Sequence, residues 1–239
     1  DLTIYPTDLV KTTESIKRGV SQIVRAGGFP VILGGDHYVP FPSFEGFALG
    51  IAECKSNPRL GYLHIDSHTD FWDELGTGGR YNHATAVRRI SENQTISYNN
   101  MAWVGLNGTT LDADQYRLLR SQKLKMFSSK NIRERGVGDV LREAIEAVAS
   151  DVDAVYVSID IDVVDGSHSP GTTAVVFGGI TALEFLDMME ILREYPIIRA
   201  VDLCEVSPMY DPAERTVRLA SSGLITLLRS RLFDVVDLD

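Results

Sequence analysis

Short runs of consecutive apolar residues alternate along the chain with segments whose apolar residues recur every three or four positions. The apolar runs predict buried strands over 30–33, 60–65, 101–104, 124–127, 154–159 and 197–203. The periodic segments predict helices over 8–26, 42–54, 85–92, 113–120, 137–149, 181–194 and 214–232. Apolar strands separated by helices are typical of a parallel sheet covered on both faces. We therefore predict an α/β fold in which a mostly parallel sheet lies between two layers of helices.

Composition narrows the class of protein. The chain has 239 residues, of which 44% are hydrophobic and 23% charged, and we find no linker or repeat, which predicts one globular domain over 1–239. A net charge of −10 without a basic stripe argues against a nucleic-acid partner and suits a cationic substrate better than an anionic one. We read Cys54 and Cys204 as buried thiols and find no signal peptide or membrane span, which predicts a cytoplasmic protein without a membrane partner.

Two aspartates follow the apolar run at 154–159. Asp160 and Asp162 lie two positions apart, and a strand points such residues to the same face. Adjacent carboxylates repel each other, and burial strengthens the repulsion. The pair therefore predicts a cation between the two side chains.

Two other predicted strands end in residues of the same kind. Asp66, His68 and Asp70 share a parity after the run at 60–65, and His37 follows the first short strand. Ligand sites of parallel sheets lie at the carboxyl ends of the strands. Carboxylate and imidazole ligands without a thiolate favour Mn²⁺ or a similar ion over structural zinc. We prefer a site for two metal ions to the alternative of scattered caps and surface residues; its candidate ligands are His37, Asp66, His68, Asp70, Asp160 and Asp162.

These segments resemble the signatures of the ureohydrolase family, which holds arginases, agmatinases and related guanidino-acid hydrolases. The resemblance runs in the family's order from about residue 34 to the final helix. It is carried by Gly34-Gly35-Asp36-His37, Asp66-Ser67-His68-Thr69-Asp70, Ser158-Ile159-Asp160-Ile161-Asp162-Val163-Val164-Asp165 and Pro170-Gly171-Thr172. It implies an arginase-like three-layer α/β/α fold that usually assembles into homotrimers or homohexamers.

The resemblance also implies how two Mn²⁺ ions would be held. By motif position, His37 and Asp70 would bind one ion. His68 and Asp162 would bind the other ion. Asp66 and Asp160 would bridge the pair, with Asp160 counted among the ligands of the first ion.

Further residues match catalytic positions of the family. Glu205 matches the glutamate that pairs with the guanidinium group, and a carboxylate suits a planar fork of N–H donors. His83 matches a histidine that shuttles protons, which suits an imidazole near its own pKa. Asp70 is a candidate to carry a proton from the attacking water to the leaving amine.

Three more residues are interpreted from their position alone. Trp72 follows the ligand segment and could offer a cation–π face to the substrate, with ordinary loop packing as the alternative. His168 precedes Pro170 and could line the pocket mouth, with a solvated loop residue as the alternative. His64 lies deeper in its strand and is read as a satisfied core histidine.

The predicted function is a metal-dependent amidinohydrolase that cleaves a guanidino compound to urea and an amine through a hydroxide bridging two metal ions. Agmatine is the first candidate substrate, because Glu205-Val206-Ser207-Pro208 resembles agmatinases more than arginases. Guanidinobutyrate, guanidinopropionate, free guanidine and formiminoglutamate stay open. Other classes are a non-catalytic metal-binding member of the family and a histone-deacetylase-like amide hydrolase with one catalytic zinc.

The chain also departs from the family's usual residues. Tyr38, Ala84, Gly166 and the segment 173–175 differ, and we expect all of them on the substrate side of the site. None of these positions is a predicted metal ligand. Family members normally carry a further amino-terminal strand and helix, which we expect this chain to lack.

Overall fold

A computed structural model describes residues 2–107 and 113–232. The strands are β1 (Val31–Leu33), β2 (Leu60–Ile65), β3 (Ile96–Leu106), β4 (Lys125–Ser128), β5 (Ala154–Asp160) and β6 (Ile198–Cys204). The helices are α1 (Leu9–Arg25), α2 (Pro40–Cys54), α3 (Ala86–Ile90), α4 (Ala113–Ser121), α5 (Ser129–Arg135), α6 (Val137–Ala149), α7 (Ala182–Arg193) and α8 (Arg215–Leu232). The six strands form one sheet in the order β1-β6-β5-β2-β3-β4, with every neighbouring pair parallel.

Alternate residues of the strands supply two separate cores. Leu63 and Val157 belong to a core that includes residues of α5, α6, α7 and α8. Tyr62 and Tyr156 belong to a second core with residues of α1, α2, α3 and α4. Gly61 allows α6 to approach β2 closely, since a Cβ there would lie 2.3 Å from a carbonyl oxygen of that helix. The predicted three-layer α/β fold is confirmed.

Three local features differ from the sequence predictions. The helix α5 was not predicted, because its sequence has little apolar periodicity and buries only Ser129 and Ile132. The strand β3 is longer than predicted, since its first five residues are polar or only partly buried. Cys54 is exposed at the end of α2, so the interpretation of both cysteines as buried is wrong for this one, while Cys204 is buried.

The loops that follow β1, β2, β5 and β6 meet at the carboxyl end of the sheet and carry the residues of interest. Asp70 and Glu205, in two of these loops, adopt φ values of 47° and 63°, a left-handed region that is uncommon for residues other than glycine. Within 2–107 and 113–232, no helix is long and apolar enough to cross a membrane.

Candidate metal centre

Three carboxylates converge on one imidazole nitrogen, that of His37. Nδ1 of His37 lies 3.0 Å from Oδ2 of Asp66, 2.9 Å from Oδ2 of Asp70 and 3.3 Å from Oδ2 of Asp160. All four residues are buried. Ligand atoms about 2.1 Å from an octahedral ion lie about 3 Å from one another, so these separations are those of a coordination shell.

A second group adjoins the first through Asp66. Nδ1 of His68 lies 3.0 Å from Oδ2 of Asp162 and 3.3 Å from Oδ1 of Asp66. One oxygen of Asp66 therefore faces His37 and the other faces His68. A carboxylate in this position can contact two ions at once, which is the geometry of a bridging ligand.

Some of the candidate donor atoms have no hydrogen-bond partner in the protein, and a divalent ion would provide one contact for each of them. Nδ1 of His37 and Oδ2 of Asp66 are buried and have no hydrogen-bond partner, although they lie 3.0 Å apart. Orphaned buried polar atoms are costly, and a bound cation would satisfy both. Four carboxylates and two imidazoles also match the charge and ligand preferences of Mn²⁺-like ions. The residues present therefore fit a pair of divalent metal ions.

Electrostatics show how strongly the cluster lacks positive charge. Burial, followed by repulsion from Asp162 and Asp66, raises the pKa of Asp160 well above its usual value. Burial and the charge of Asp66 raise the pKa of Asp162 to about 6. Burial opposes a charged imidazole, yet hydrogen bonds to Asp162 and Asp66 raise the pKa of His68 to about 11. Without a metal, these raised pKa values favour protonated side chains in the cluster.

His64 is part of this cluster, which its interpretation as a core histidine did not include. It is fully buried, as expected, and Nε2 lies 2.9 Å from Oδ2 of Asp66. Its ring also stacks on that of His37, with 5.1 Å between the centroids. Its shared parity with Asp66, two positions away on the same face of the strand, was the sequence signal for this contact.

A cavity of about 560 Å³ opens above the cluster. Glu205, His83, Trp72 and Gln115 are among its lining residues. Trp72 and His83 both lie in the loop between β2 and α3. This loop begins with the predicted ligand segment, Asp66 to Asp70.

Glu205 is held at both carboxylate oxygens. Oε1 accepts a hydrogen bond of 2.8 Å from the backbone N–H of His37, and Oε2 accepts one of 3.0 Å from the hydroxyl of Thr173. Each carboxylate oxygen can accept a second hydrogen bond. The side chain is therefore oriented by the protein and keeps acceptor capacity toward the cavity.

His83 faces the carboxylate of Asp36, the residue before His37 in the first motif. Nδ1 of His83 lies 3.6 Å from Oδ2 of Asp36, and both side chains are more than half exposed. The interaction with Asp36 raises the pKa of His83 above its ordinary value. Asp36 also lines the cavity, so it joins the candidate site.

Some predicted residues lie elsewhere. His168 is exposed in the loop after β5 and is not among the residues that line the cavity. Tyr38 is buried and its hydroxyl contacts that of Thr13 at 2.8 Å, which places it under α1 and away from the cavity. Gly166 likewise does not line the cavity, so the expectation that these departures surround the substrate is wrong for Tyr38 and Gly166. Ala84, Thr173 and Ala174 do line the cavity, whereas Val175 is not among its lining residues.

Comparison with known proteins identifies the family. A family model described as the arginase family matches residues 1–229. The agmatinase of Bacillus subtilis (strain 168) is 32% identical over 219 residues, which cover 91% of this chain and 69% of that protein. The guanidinopropionase of Pseudomonas aeruginosa is 31% identical over 228 residues, which cover 95% of this chain and 69% of that protein. The crystal structure of formimidoylglutamase from Bacillus subtilis has a TM-score of 0.87 at 24% identity, over 98% of this chain and 72% of that one. The chain belongs to the arginase family.

Proposed function

We propose that this protein hydrolyses a guanidino compound to urea and an amine with the help of two divalent metal ions. The observation that carries the proposal is the convergence of six acidic and imidazole side chains at the floor of a cavity whose wall holds Glu205 and His83. Two bound ions would supply a water molecule of lowered pKa as the nucleophile. The proposed ligands are His37, Asp66, His68, Asp70, Asp160 and Asp162.

The residues around the metal ligands would orient the substrate and move protons. Glu205 would pair with the guanidinium group, whose planar N–H donors suit a fixed carboxylate. His83, held by Asp36, would deliver a proton to the leaving amine nitrogen, and Asp70 would accept a proton from the attacking water. The bond from the guanidino carbon to the amine nitrogen breaks and a bond from that carbon to oxygen forms, so one water molecule is consumed.

Charge in the cavity supports agmatine as the first candidate substrate. Among the lining residues within the described part of the chain there is no lysine or arginine, whereas Asp36 and Glu205 are both present. A carboxylate on the substrate tail would find no lysine or arginine among them. With Glu205 paired to the guanidinium group, Asp36 is left as an acidic group for a cationic tail. Trp72 adds an aromatic face that also suits a cation. The named relatives differ in substrate, so this preference rests on the cavity.

Product release from a panel of compounds tests the proposal. The protein, loaded with Mn²⁺, is incubated with agmatine, arginine, guanidinobutyrate, guanidinopropionate and free guanidine, and urea is measured. Formiminoglutamate is included with formamide as its product, and a chelated sample serves as the control. We expect metal-dependent urea release, with the highest kcat/KM for agmatine.

Two other outcomes carry distinct meanings. A preference for a carboxylate-tailed compound would contradict the argument from cavity charge but retain the reaction class. No product from any compound, with two metal ions bound, would contradict the enzyme and favour the non-catalytic alternative.

We further propose manganese as the ion, assembly into homotrimers or homohexamers, a cytoplasmic location and a single catalytic domain over 1–239. The oxygen and nitrogen donor set supports manganese. The small cationic guanidino compound is the one partner that the cavity itself supports.

A further inference from the structure

A row of polar side chains lies behind the metal ligands, on one face of the three central strands. The strand register pairs His64 with Ser158 and Ser158 with Asp202. All three residues are fully buried. Nε2 of His37 lies 3.1 Å from the hydroxyl oxygen of Ser158, so Ser158 contacts the imidazole on the side away from Asp66 and Asp70.

Hydrogen-bond donors and acceptors fix the direction of each contact. The Asp202 carboxylate accepts from the Ser158 hydroxyl at 2.9 Å and from the Tyr156 hydroxyl at 2.7 Å. A serine hydroxyl has a single proton to donate. Because Ser158 gives its proton to Asp202, it can only accept from Nε2 of His37. The hydrogen on the neutral imidazole is therefore on Nε2, and the lone pair is on Nδ1.

This tautomer directs the free lone pair of His37 at the candidate metal. Nδ1 faces oxygens of three carboxylates at 2.9 to 3.3 Å, an arrangement that is repulsive unless a cation lies between them. In metal sites, a ligating histidine is generally oriented by a hydrogen bond from its other ring nitrogen, often to a carboxylate that does not itself bind the metal. Here the orienting carboxylate acts through a serine.

We propose that Asp202, through Ser158, is a positioning residue that holds His37 in the Nε2–H tautomer and thereby raises the affinity of the first metal position. The inference rests on the proposed metal centre. A fully buried carboxylate is costly unless it is hydrogen-bonded, and its two hydroxyl partners satisfy it while one of them transmits its effect to His37. Asp202 lies outside the cavity lining and so would not touch the substrate.

Mn²⁺ titration of two variants tests the proposal. Ser158→Ala removes the acceptor of the His37 N–H, and Asp202→Asn removes the negative charge that makes Ser158 a good acceptor. We expect each variant to bind Mn²⁺ at the position formed by His37 and Asp70 about 10- to 100-fold more weakly than the wild type. The position formed by His68 and Asp162 should lose much less. Wild-type affinity at both positions in the two variants would overturn the proposal.

Asp211→Asn is the matched control. Asp211 is also a buried carboxylate, and it accepts hydrogen bonds of 2.9 and 3.0 Å from the backbone N–H groups of Arg215 and Val217 at the start of α8. Its replacement should lower stability without changing Mn²⁺ affinity. Equal loss of affinity in the control would show that any buried aspartate has this effect, and would overturn a specific role for Asp202.

Nitrogen NMR of the Zn²⁺-loaded wild type gives a second readout that does not need a folded variant. We expect the imidazole of His37 to show a metal-bound Nδ1 and a hydrogen on Nε2. Metal bound through Nε2 would overturn the proposal. A wild type that binds neither Mn²⁺ nor Zn²⁺ would overturn the metal centre itself, and that failure is distinct from a metal-loaded protein whose variants are unchanged.

Discussion

At the scale of single residues, two site carboxylates occupy strained backbone positions. Asp70 and Glu205 have positive φ, a conformation that costs about 1–2 kcal/mol for residues with a side chain. Tertiary hydrogen bonds hold both: the carbonyl of Asp70 accepts from the N–H of Val87 at 3.0 Å, and the N–H of Glu205 donates to the carbonyl of Gly35 at 2.8 Å. Such strain tends to occur at functional sites. The sequence offered no sign of it, because neither residue is a glycine.

Replacing Glu205 by glutamine tests its pairing with the guanidinium group. The amide oxygen can still accept from the N–H of His37, so the side chain should keep its position while losing its charge. A charge-assisted hydrogen bond contributes about 1.5–3 kcal/mol, so we expect kcat/KM to fall about 10- to 100-fold. Metal content, measured by elemental analysis, should not change. Undiminished kcat/KM would argue against this role.

His83→Ala tests proton delivery, with His168→Ala as a matched loop histidine outside the cavity. A positioned acid contributes about 100-fold or more to the rate, so kcat should fall by that amount in His83→Ala and stay unchanged in His168→Ala. Both variants should bind metal normally. If the two variants are equally active, His83 is not the proton donor.

Metal affinity should increase with pH. In the metal-free protein the pKa of His68 is about 11, so its imidazole carries a proton at neutral pH that it must lose to bind a metal ion. The metal-free state therefore holds more protons than the metal-loaded state. Each proton released raises affinity by up to about tenfold per pH unit. Mn²⁺ titrations between about pH 6 and about pH 8 measure this slope. Affinity that does not vary with pH would contradict the proton release.

At the scale of elements, strand ends were predictable and loop anchors were not. The ligand positions followed from apolar runs that end in Asp or His, because parallel strands bring their carboxyl ends to one edge. The anchor of the loop between β2 and α3 was missed. Arg89 in α3 is almost fully buried and donates to the carbonyls of Asp73 and Arg80 at 2.9 and 3.1 Å and to the carboxylates of Asp73 and Glu92 at 2.7 and 2.9 Å. Arg88 and Arg89 are adjacent, and nothing in the sequence indicates which of the two is buried.

Arg89→Met should loosen the loop that carries Trp72 and His83. Its loss removes hydrogen bonds to carbonyl and carboxylate groups, so we expect the free energy of unfolding to fall by about 1.5–3 kcal/mol. Arg88→Met is the neighbouring control: Arg88 lies over the ring of Phe71 at 5.2 Å and should contribute about 1 kcal/mol or less. Denaturant titration compares the two, and kcat/KM should fall only in Arg89→Met. Equal effects would contradict the anchoring role.

At the scale of the whole molecule, the candidate metals would join three separate segments of chain. The six ligands lie at or just after the carboxyl ends of β1, β2 and β5, and Glu205, which is not a metal ligand, follows β6. The fold class and this convergence were predictable, since both depend on strand order and strand ends. The cavity wall was not, because it depends on loop conformation and on residues such as Gln115 from α4 that are distant in sequence. For the same reason the expected position of Tyr38 did not match the structure, and only the structure favours the solvated-loop interpretation of His168 over the pocket-mouth one.

The most direct test of the central claim is urea release during stepwise return of Mn²⁺ to metal-free protein. Activity toward agmatine should be absent after chelation, rise as Mn²⁺ is added and reach its plateau at two ions per chain. The melting temperature should rise in parallel, because ions that bind only the folded state stabilise it. Urea release that survives chelation, or a plateau without urea after two ions are bound, would contradict the account.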